Sequence, residues 1–353
     1  MKTYSKPSDV KVGVVGYGGA FNMGRQHLQQ MKAAGMTPFA VCEVDPARLD
    51  VARTEWPGIE TYSSLDAMLK QSDVNLLVHI TPHNLHYPLA AKCVKAGKHV
   101  VTEKPFVVTT KEADSLIALA KKHKVMVSTY HNRHWDGWIM RAVQQVVQKK
   151  VVGDIIRVEA HMGGYGMPGP WWRTSKTVSG GVLYDWGCHL LEYSLQFIDS
   201  TITEVSGYAH TGYWASQAPA SHPWKKDMNE DEAHAVVRFK NGAMLHLSNG
   251  HLRTEPRPYT LGIFGTKGAY MLDFQQWTTR LPRKQKDGKW QFVEKTGKHP
   301  KSQGQLFYKN VAEHLCGKAE LIITPEWARR PIHILDLAGQ SARQGKALKA
   351  KYG

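Results

Sequence analysis

The first 130 residues alternate short β-branched runs with helical stretches, and this alternation restricts the possible folds more than any other feature. Strands are predicted at residues 12–16, 39–43, 74–80, 99–102 and 125–129, and helices at 25–34, 46–56, 85–96 and 111–122. Strands separated by helices favour a parallel sheet with crossover connections. We therefore predict an α/β fold with a doubly wound parallel sheet in this half of the chain.

The second half has a different pattern. A helix is predicted from residue 137 to about 150, followed by strands at 155–162, 203–210, 233–239, 243–249 and 259–264. These strands follow one another with turn signals such as Asn241-Gly242, which favours an open, mainly antiparallel sheet in an α+β domain. At ~150 residues per domain, 353 residues suit two domains, predicted at 1–130 and 131–353.

The charge balance raises the question of an anionic partner. The chain has 46 Lys plus Arg and 30 Asp plus Glu, so its net charge is 46 − 30 = +16. The basic residues are spread along the chain, their densest cluster being Lys346, Lys349 and Lys351, and no nucleic-acid-binding signature accompanies them. We expect no nucleic-acid partner; the fractions of 42% hydrophobic and 22% charged residues are those of a globular protein.

Neither a membrane segment nor a disulfide framework is expected. No apolar run approaches the ~20 residues that span a bilayer, and residues 1–10 are polar, so we expect a cytoplasmic protein. The four cysteines, Cys42, Cys93, Cys188 and Cys316, are scattered and form no CxxC pair. Buried free thiols are expected rather than disulfides or a zinc site.

A glycine-rich turn follows the first predicted strand. It contains Gly16, Gly18 and Gly19, and then Asn22, Met23 and Gly24 before the helix. Glycines allow the backbone to approach a pyrophosphate, which the N-terminus of the following helix stabilises. Gly24 comes about three residues later than GxGxxG requires, so the spacing alone is a weak match.

Glu43 ends the second predicted strand. A carboxylate here can accept hydrogen bonds from the adenosine ribose hydroxyls and would repel a 2′-phosphate, which favours NAD over NADP. The alternative is that Glu43 is an ordinary surface acid beside Asp45.

Polar side chains follow two further strands. Residues 81–86 read Thr-Pro-His-Asn-Leu-His, and residues 102–105 read Thr-Glu-Lys-Pro. Both groups lie at the carboxyl edge of the predicted sheet, where ligands bind in doubly wound folds. Pro105 restricts the backbone of Lys104 and allows a cis bond between them. The alternative to a ligand-binding role is that Lys104 is a solvent-exposed lysine at a strand end.

A further polar pair opens a predicted helix in the second domain. Asp185 and His189 are four residues apart, so they share one helix face, and Gly180-Gly181 precede them. His189 could also be a satisfied core histidine, and the spacing could hold a metal. We expect no metal, because only two firm ligands are present and the other histidine groups lack carboxylates at suitable spacing.

These motifs together resemble the glucose-fructose oxidoreductase/inositol dehydrogenase family, often called Gfo/Idh/MocA. The resemblance rests on the glycine loop, Thr81-Pro82 with His86, the run from Gly97 to Pro105 that ends in Glu-Lys-Pro, and D-x-G-x-H at Asp185, Gly187 and His189. It implies a Rossmann domain, a C-terminal domain whose open sheet often builds dimers and tetramers, and NAD(P)-dependent oxidation or reduction of sugars and cyclitols.

Residue roles follow from the resemblance by position. Lys104 matches a lysine that touches both substrate and nicotinamide, while Asp185 and His189 match a substrate-side pair. The predicted catalytic residues are Lys104, Asp185 and His189. The predicted cofactor-binding residues are Gly16, Gly18, Gly19, Asn22, Met23, Gly24, Glu43, Thr81, Pro82, His86, Glu103, Lys104, Trp172 and Arg173. The predicted substrate-binding residues are Lys104, His131, Arg133, Tyr165, Trp171, Arg173, Asp185 and His189. The segment 206–231 has no role that the family motifs specify.

The chemistry assigned to these residues is alcohol oxidation. His189 is the preferred base because the ordinary pKa of histidine is ~6.5, with Asp185 orienting it and Lys104 stabilising the developing alkoxide, although Lys104 and His189 could exchange roles. The function predicted is hydride transfer between a secondary hydroxyl of a sugar, glycoside or cyclitol and NAD. The alternatives are an NAD-dependent glycosidase that oxidises the sugar transiently and a non-catalytic dinucleotide-binding regulator.

Overall fold

The computed structural model describes residues 3–19, 21–255 and 257–352. The chain forms two compact units, the first made of Met1–Asn132 and Gln305–Arg329 and the second of Arg133–Gly304 and Arg330–Gly353. This division differs from the predicted one, because the chain returns to the first unit after residue 304. Hydrophobic periodicity marks single elements and does not reveal which unit a late helix joins.

The first unit contains, within the described residues, a six-stranded parallel sheet with strand order β3-β2-β1-β4-β5-β6. Its strands are β1 (Lys11–Val15), β2 (Thr37–Cys42), β3 (Glu60–Tyr62), β4 (Leu76–His79), β5 (His99–Thr102) and β6 (Val127–Thr129). This order confirms the doubly wound prediction. The sequence analysis did not identify β3, which is only three residues long and has no buried residue.

Helices follow the strands of this sheet: α1 (Met23–Ala33), α2 (Pro46–Glu55), α3 (Leu65–Gln71), α4 (His86–Lys95) and α5 (Thr110–His123). Local signals explain their starts. Asp45 accepts a hydrogen bond from the Ala47 amide beside Pro46, and Thr109 with Glu112 forms a capping box at α5. The central strands β4 and β5 are buried throughout, as expected when helices cover both faces of a parallel sheet.

The second unit contains, in the part of the chain described, a nine-stranded mixed sheet with order β14-β13-β12-β11-β7-β10-β9-β8-β15. Its strands are β7 (Ile155–Gly163), β8 (Ile202–His210), β9 (Glu232–Phe239), β10 (Met244–Gly250), β11 (Leu261–Gly265), β12 (Gly268–Leu272), β13 (Gln276–Lys284), β14 (Trp290–Lys298) and β15 (Leu348–Lys349). Only the β7–β10 pair is parallel among the described pairs, so the mainly antiparallel prediction is confirmed.

The remaining helices are α6 (Gly137–Val143), α7 (Lys176–Ser179), α8 (Leu183–Leu195), α9 (Tyr213–Gln217), α10 (Leu306–Leu315) and α11 (Pro325–Gln344). Helix α6 passes into a π-helical turn at Gln144–Gln148, which completes the helix predicted up to about residue 150. Helix α8 packs on β7 and β10, and Gly187 allows the close approach, since a Cβ there would lie 3.3 Å from Leu247.

No helix or strand was predicted from the sequence after residue 264. The hairpin of β13 and β14 has little burial on either strand, and Trp290, Phe292 and Val293 of β14 are exposed. Without one buried face, these strands lack the alternation that identifies a strand in a sequence. No helix among residues 3–19, 21–255 and 257–352 is long and apolar enough to cross a membrane.

Candidate functional site

The turn after β1 can only be built with glycine at two positions. Gly16 has φ +104°, and a Cβ there would lie 2.2 Å from the carbonyl oxygen of Ile80. A Cβ at Gly24 would lie 2.6 Å from the Tyr17 ring. Both positions are therefore restricted by close backbone approach.

The other predicted phosphate-binding residues surround the start of α1. Gly18 is open to approach, since a Cβ there would have no neighbouring heavy atom within 4 Å, and Gly19 is exposed. Asn22 precedes the helix in the left-handed region with φ +50°, and α1 begins at Met23. The N–H groups of a first helical turn have no intrahelical partner, so this end of α1 suits a pyrophosphate.

Glu43 lies against this turn. One of its carboxylate oxygens accepts a hydrogen bond from the Tyr17 amide over 2.6 Å, and the other accepts from the Val44 amide over 2.6 Å. Arg48 also contacts the turn: its Nε donates to the Tyr17 carbonyl over 2.9 Å, and its guanidinium lies beside Gly19. Arg48 was not among the residues predicted from the sequence. A carboxylate and a guanidinium thus both contact the glycine turn. The only signal in the sequence for these contacts is the position of Glu43 after β2 and of Arg48 in α2.

His86 connects the two polar turns at the carboxyl edge of the sheet. Its ring is fully buried, with Nδ1 2.6 Å from the carbonyl oxygen of Pro105 and Nε2 3.1 Å from that of Thr81. Burial lowers the pKa of His86, while the two carbonyls oppose that shift. Thr81 and Pro82 are thereby held beside the Lys104–Pro105 turn, whose peptide bond is cis, the form that the sequence allowed.

Glu103 lies in a buried polar network beneath Lys104. Its carboxylate accepts a hydrogen bond from the Lys104 amide over 2.9 Å and lies 2.9 Å from Nε2 of His27. Burial alone would raise the pKa of Glu103, but the hydrogen bond from His27 and the charge of Lys104 lower it below its ordinary value. The carboxylate is therefore held ionised next to the lysine that the sequence predicts to be catalytic.

Tyr308 of α10 completes the network. Its hydroxyl lies 2.6 Å from Nδ1 of His27, and its ring stacks on that of Tyr130 at 5.5 Å. Since Nε2 of His27 faces a carboxylate, it carries the proton, and Nδ1 accepts from the Tyr308 hydroxyl. The returning segment thus supports the Glu-Lys-Pro turn through α10, a contribution that the sequence analysis missed.

We expect Tyr308→Phe to lower the free energy of unfolding by about 1–2 kcal/mol, because it removes the donor to a buried ring nitrogen. The matched control is Tyr270→Phe. The Tyr270 hydroxyl is buried and has no hydrogen-bond partner among the described residues, so its removal should be neutral or stabilising. Urea unfolding of both variants tests this; equal losses would contradict the assigned hydrogen bond.

In the second unit, α8 presents Asp185 and His189 one turn apart, as predicted. A carboxylate oxygen of Asp185 lies 3.4 Å from Nε of Arg173. The Arg173 guanidinium also lies 5.0 Å and 4.7 Å from the ring centres of Trp171 and Trp172. The predicted Trp-Arg pair and the predicted acid are thus brought together.

Aromatic rings border His189, which is 7% exposed. The Trp186 ring centre lies 5.5 Å from it, and the Tyr193 ring is nearly parallel to it at 6.4 Å. Phe274, which is half exposed, contacts the Trp186 ring in turn. The site therefore offers one imidazole among apolar faces.

Asp136, which the sequence analysis did not identify, fixes part of this wall. One of its oxygens accepts hydrogen bonds from Arg133, Trp138 and Tyr193 over 3.1–3.2 Å. Arg133 also lies 5.2 Å from the Trp186 ring centre. The predicted residue Arg133 therefore supports the ring that borders His189.

The two remaining predicted substrate-binding residues differ in exposure. His131 is buried in the first unit, and Tyr165 is exposed in the second. His134 lies 2.5 Å from the buried carboxylate of Glu192. Within the described residues, no group of three or more His, Cys, Asp or Glu side chains could hold a metal ion.

Comparisons with known proteins agree with this organisation. Residues 10–131 match a family model described as an oxidoreductase family with an NAD-binding Rossmann fold. Residues 140–271 match a model described as the GFO/IDH/MocA C-terminal domain.

Individual relatives are similar over nearly the whole chain. The scyllo-inositol 2-dehydrogenase (NADP(+)) IolW of Bacillus subtilis (strain 168) is 23% identical, over 100% of this chain and 99% of its own. Among solved structures, the oxidoreductase yvaA of Bacillus subtilis has a TM-score of 0.82 at 20% identity, covering 98% of this chain and 99% of that one. A levoglucosan dehydrogenase in complex with NADH and levoglucosan has a TM-score of 0.79 at 17% identity, covering 97% and 99%.

The two family models span both halves of the chain and agree with the two observed sheets. The chain belongs to the Gfo/Idh/MocA family of oxidoreductases with an NAD-binding Rossmann fold.

Proposed function

We propose that this protein is an NAD-dependent dehydrogenase that oxidises a secondary hydroxyl of a sugar, glycoside or cyclitol. The observation that carries the proposal is the cluster on α8, where Asp185 pairs with Arg173 and His189 lies among aromatic rings. Carboxylate, guanidinium and imidazole groups suit the hydroxyls of a polyhydroxylated ring, and aromatic faces suit its C–H surfaces. Relatives that act on inositol and levoglucosan support this substrate class.

The residues of the glycine turn fit a dinucleotide. Gly16 and Gly24 allow the close backbone approach, the start of α1 suits the pyrophosphate, and Glu43 suits the ribose hydroxyls. When bound, the nicotinamide accepts the hydride from the substrate carbon.

Three side chains divide the remaining work. His189 accepts the hydroxyl proton, Asp185 orients the substrate or the imidazole, and Lys104 stabilises the negative charge that develops on the oxygen. An exchange of roles between Lys104 and His189 is chemically possible, because a desolvated lysine can also act as a base.

A screen of sugars, cyclitols and aryl glycosides with NAD tests the proposal. NADH absorbance and the release of aglycone are followed in the same wells. Net NADH formation with a sugar or cyclitol supports the dehydrogenase. Aglycone release without net NADH would support the glycosidase mechanism instead, and the absence of both would support a regulator.

We expect the protein to bind NAD more tightly than NADP by about tenfold or more, because the Glu43 side chain would face the 2′-phosphate. Glu43→Gln should narrow this preference, and Arg48→Ala should widen it, since the Arg48 guanidinium lies beside Gly19 and contacts the turn directly. Fluorescence titration of both dinucleotides measures the ratios. A clear preference of the wild-type protein for NADP would remove Glu43 from this role.

Besides the small-molecule substrate, the second partner expected is another copy of this chain. Tyr208 and Met244 are exposed on one face of the sheet of the second unit, and their strand registers place Arg157 and His234 on the same face. We expect this mixed polar and apolar face to be covered by a second copy of the chain in a symmetric dimer or tetramer. Light scattering should give a multiple of 39.6 kDa, and a monomer would contradict it.

The cell compartment expected is the cytoplasm. The four cysteines are free thiols, three of them buried, which suits a reducing environment.

A further inference from the structure

Three aromatic side chains of the second unit form a cluster that the proposed chemistry does not use. The Trp214 ring centre lies 5.4 Å from that of Tyr165 and 4.9 Å from that of Tyr213. The Tyr165 and Tyr213 hydroxyl oxygens are 3.2 Å apart. We call Tyr165, Tyr213 and Trp214 the aromatic platform.

Two rings of the aromatic platform are exposed to solvent, and the third is buried beneath them. Tyr165 is 58% exposed and Tyr213 39%, whereas Trp214 is 8% exposed. The Tyr165 and Tyr213 rings are inclined by 64° and 77° to the buried Trp214 ring, so they expose apolar ring faces on either side of their adjoining hydroxyl groups. That combination suits a ligand that is apolar on one face and hydroxylated at its rim.

The platform is rigidly held by a buried carboxylate. Asp231, 1% exposed, accepts hydrogen bonds from the amides of Tyr213 and Trp214 over 2.8 and 2.9 Å. The Trp214 indole donates to the carbonyl oxygen of His251 over 3.1 Å. The segment 206–231, to which the family motifs assign no role, therefore builds and fixes two of the three rings.

His251 connects the platform with the proposed substrate site. Its backbone also accepts from Gly166, next to Tyr165, and its amide donates to Asp231. Burial lowers the pKa of His251, and the charges of Asp185 and Asp231 both oppose that shift. Hydrogen bonds also link the support of the platform to the start of α8: Glu230, next to Asp231, accepts from the Val182 amide over 2.9 Å, and the Asn249 side chain donates to the Val182 carbonyl over 2.8 Å.

We propose that the aromatic platform is a subsite for the second ring of a glycoside or disaccharide, whose first ring is the one oxidised near Asp185 and His189. The inference rests on the proposed function and makes it more specific, since a free monosaccharide or cyclitol would leave the platform unused. A pyranose ring matches its chemistry, with C–H groups on the phenol faces and hydroxyls beside the two Tyr hydroxyls.

The test compares kcat/KM for two-ring and one-ring substrates. Maltose, cellobiose and sucrose are compared with D-glucose and methyl glucosides in the wild-type enzyme, in Tyr165→Ala and in Tyr213→Ala. The wild-type enzyme should prefer a two-ring compound. Tyr213→Ala should lose about tenfold in kcat/KM with that compound only, and Tyr165→Ala should lose more with that compound than with one-ring substrates. Tyr165→Phe should retain most of the preference. Trp290→Ala, which removes a 64%-exposed ring from β14, is the matched control and should change neither value.

Two results would overturn the subsite. One is a wild-type preference for one-ring substrates; the other is an equal effect, or no effect, of the alanine variants on both classes. A change of oligomeric state in Tyr165→Ala without a change in preference would assign the platform to a subunit contact instead.

If no sugar yields NADH, the proposed function fails, but the subsite is still decided by equilibrium dialysis. Binding of a labelled disaccharide that exceeds binding of D-glucose, and that is lost in Tyr165→Ala, supports the platform. Equal binding of the two sugars would contradict it.

Discussion

Replacing Lys104 or His189 by alanine should lower kcat by about a hundredfold or more, with NAD affinity nearly unchanged. That magnitude is typical for the loss of an acid–base group or of a cation that stabilises developing charge. Lys104 lies in a turn that the partly buried carboxylate of Glu103 fixes, and His189 contacts the rings of Trp186 and Tyr193. Asp185→Asn should weaken substrate binding only slightly but should still lower kcat, because asparagine has the size of aspartate and lacks its charge.

The controls are Lys95→Ala and His246→Ala, which remove side chains of the same types from the outer surface of α4 and from β10. Steady-state kinetics with the identified substrate and fluorescence titration of NAD provide the two readouts. If Lys104→Ala and His189→Ala both turned over the substrate at the wild-type rate, the assigned chemistry would be wrong while the fold assignment would stand.

Acidification from about pH 7.5 to about pH 5 should destabilise the protein through its buried histidines. Burial lowers the pKa of His79 to about 3 and that of His161 to about 4. The unfolded chain, in which a histidine pKa is ~6.5, therefore binds more protons than the folded chain in this window. The stability contributed by the neutral rings is complete above ~6.5 and is lost as the pH falls below that value.

His79 allows this effect to be isolated. It is fully buried in β4, and its Nδ1 has no hydrogen-bond partner among the described residues. Its share of the loss is about 1 kcal/mol at about pH 5.5 and grows by ~1.4 kcal/mol for each further pH unit until its folded pKa is reached. His79→Leu should therefore flatten the dependence of the unfolding free energy on pH, measured with urea at several pH values. An unchanged slope would show that His79 is protonated in the folded state.

The doubly wound sheet could be predicted because its strands are short apolar runs bounded by turn signals. The strand β3 could not, because Glu60–Tyr62 has no buried residue and so shows no hydrophobic signal. The hairpin of β13 and β14 was missed for the same reason. Burial on one face is what makes a strand visible in a sequence.

The site was predictable where a motif lies next to a strand end and unpredictable where the contact is distant in sequence. Glu43 and Lys104 follow strands, so their place at the sheet edge could be expected. Tyr308 contacts His27 across 281 positions, and Asp231 supports Trp214 through backbone amides. Neither contact has a spacing rule, because tertiary packing alone creates it.

Deuterium transfer tests the central claim most directly. The protein is incubated with NAD and the best substrate of the screen, deuterated at its ring carbons, and the nicotinamide product is analysed by mass spectrometry. Hydride transfer from a sugar carbon predicts reduced cofactor that carries one deuterium, together with a slower rate than with the undeuterated substrate when transfer limits turnover. Reduced cofactor without deuterium, or none with any sugar, glycoside or cyclitol, would contradict the assignment of this protein as a sugar dehydrogenase.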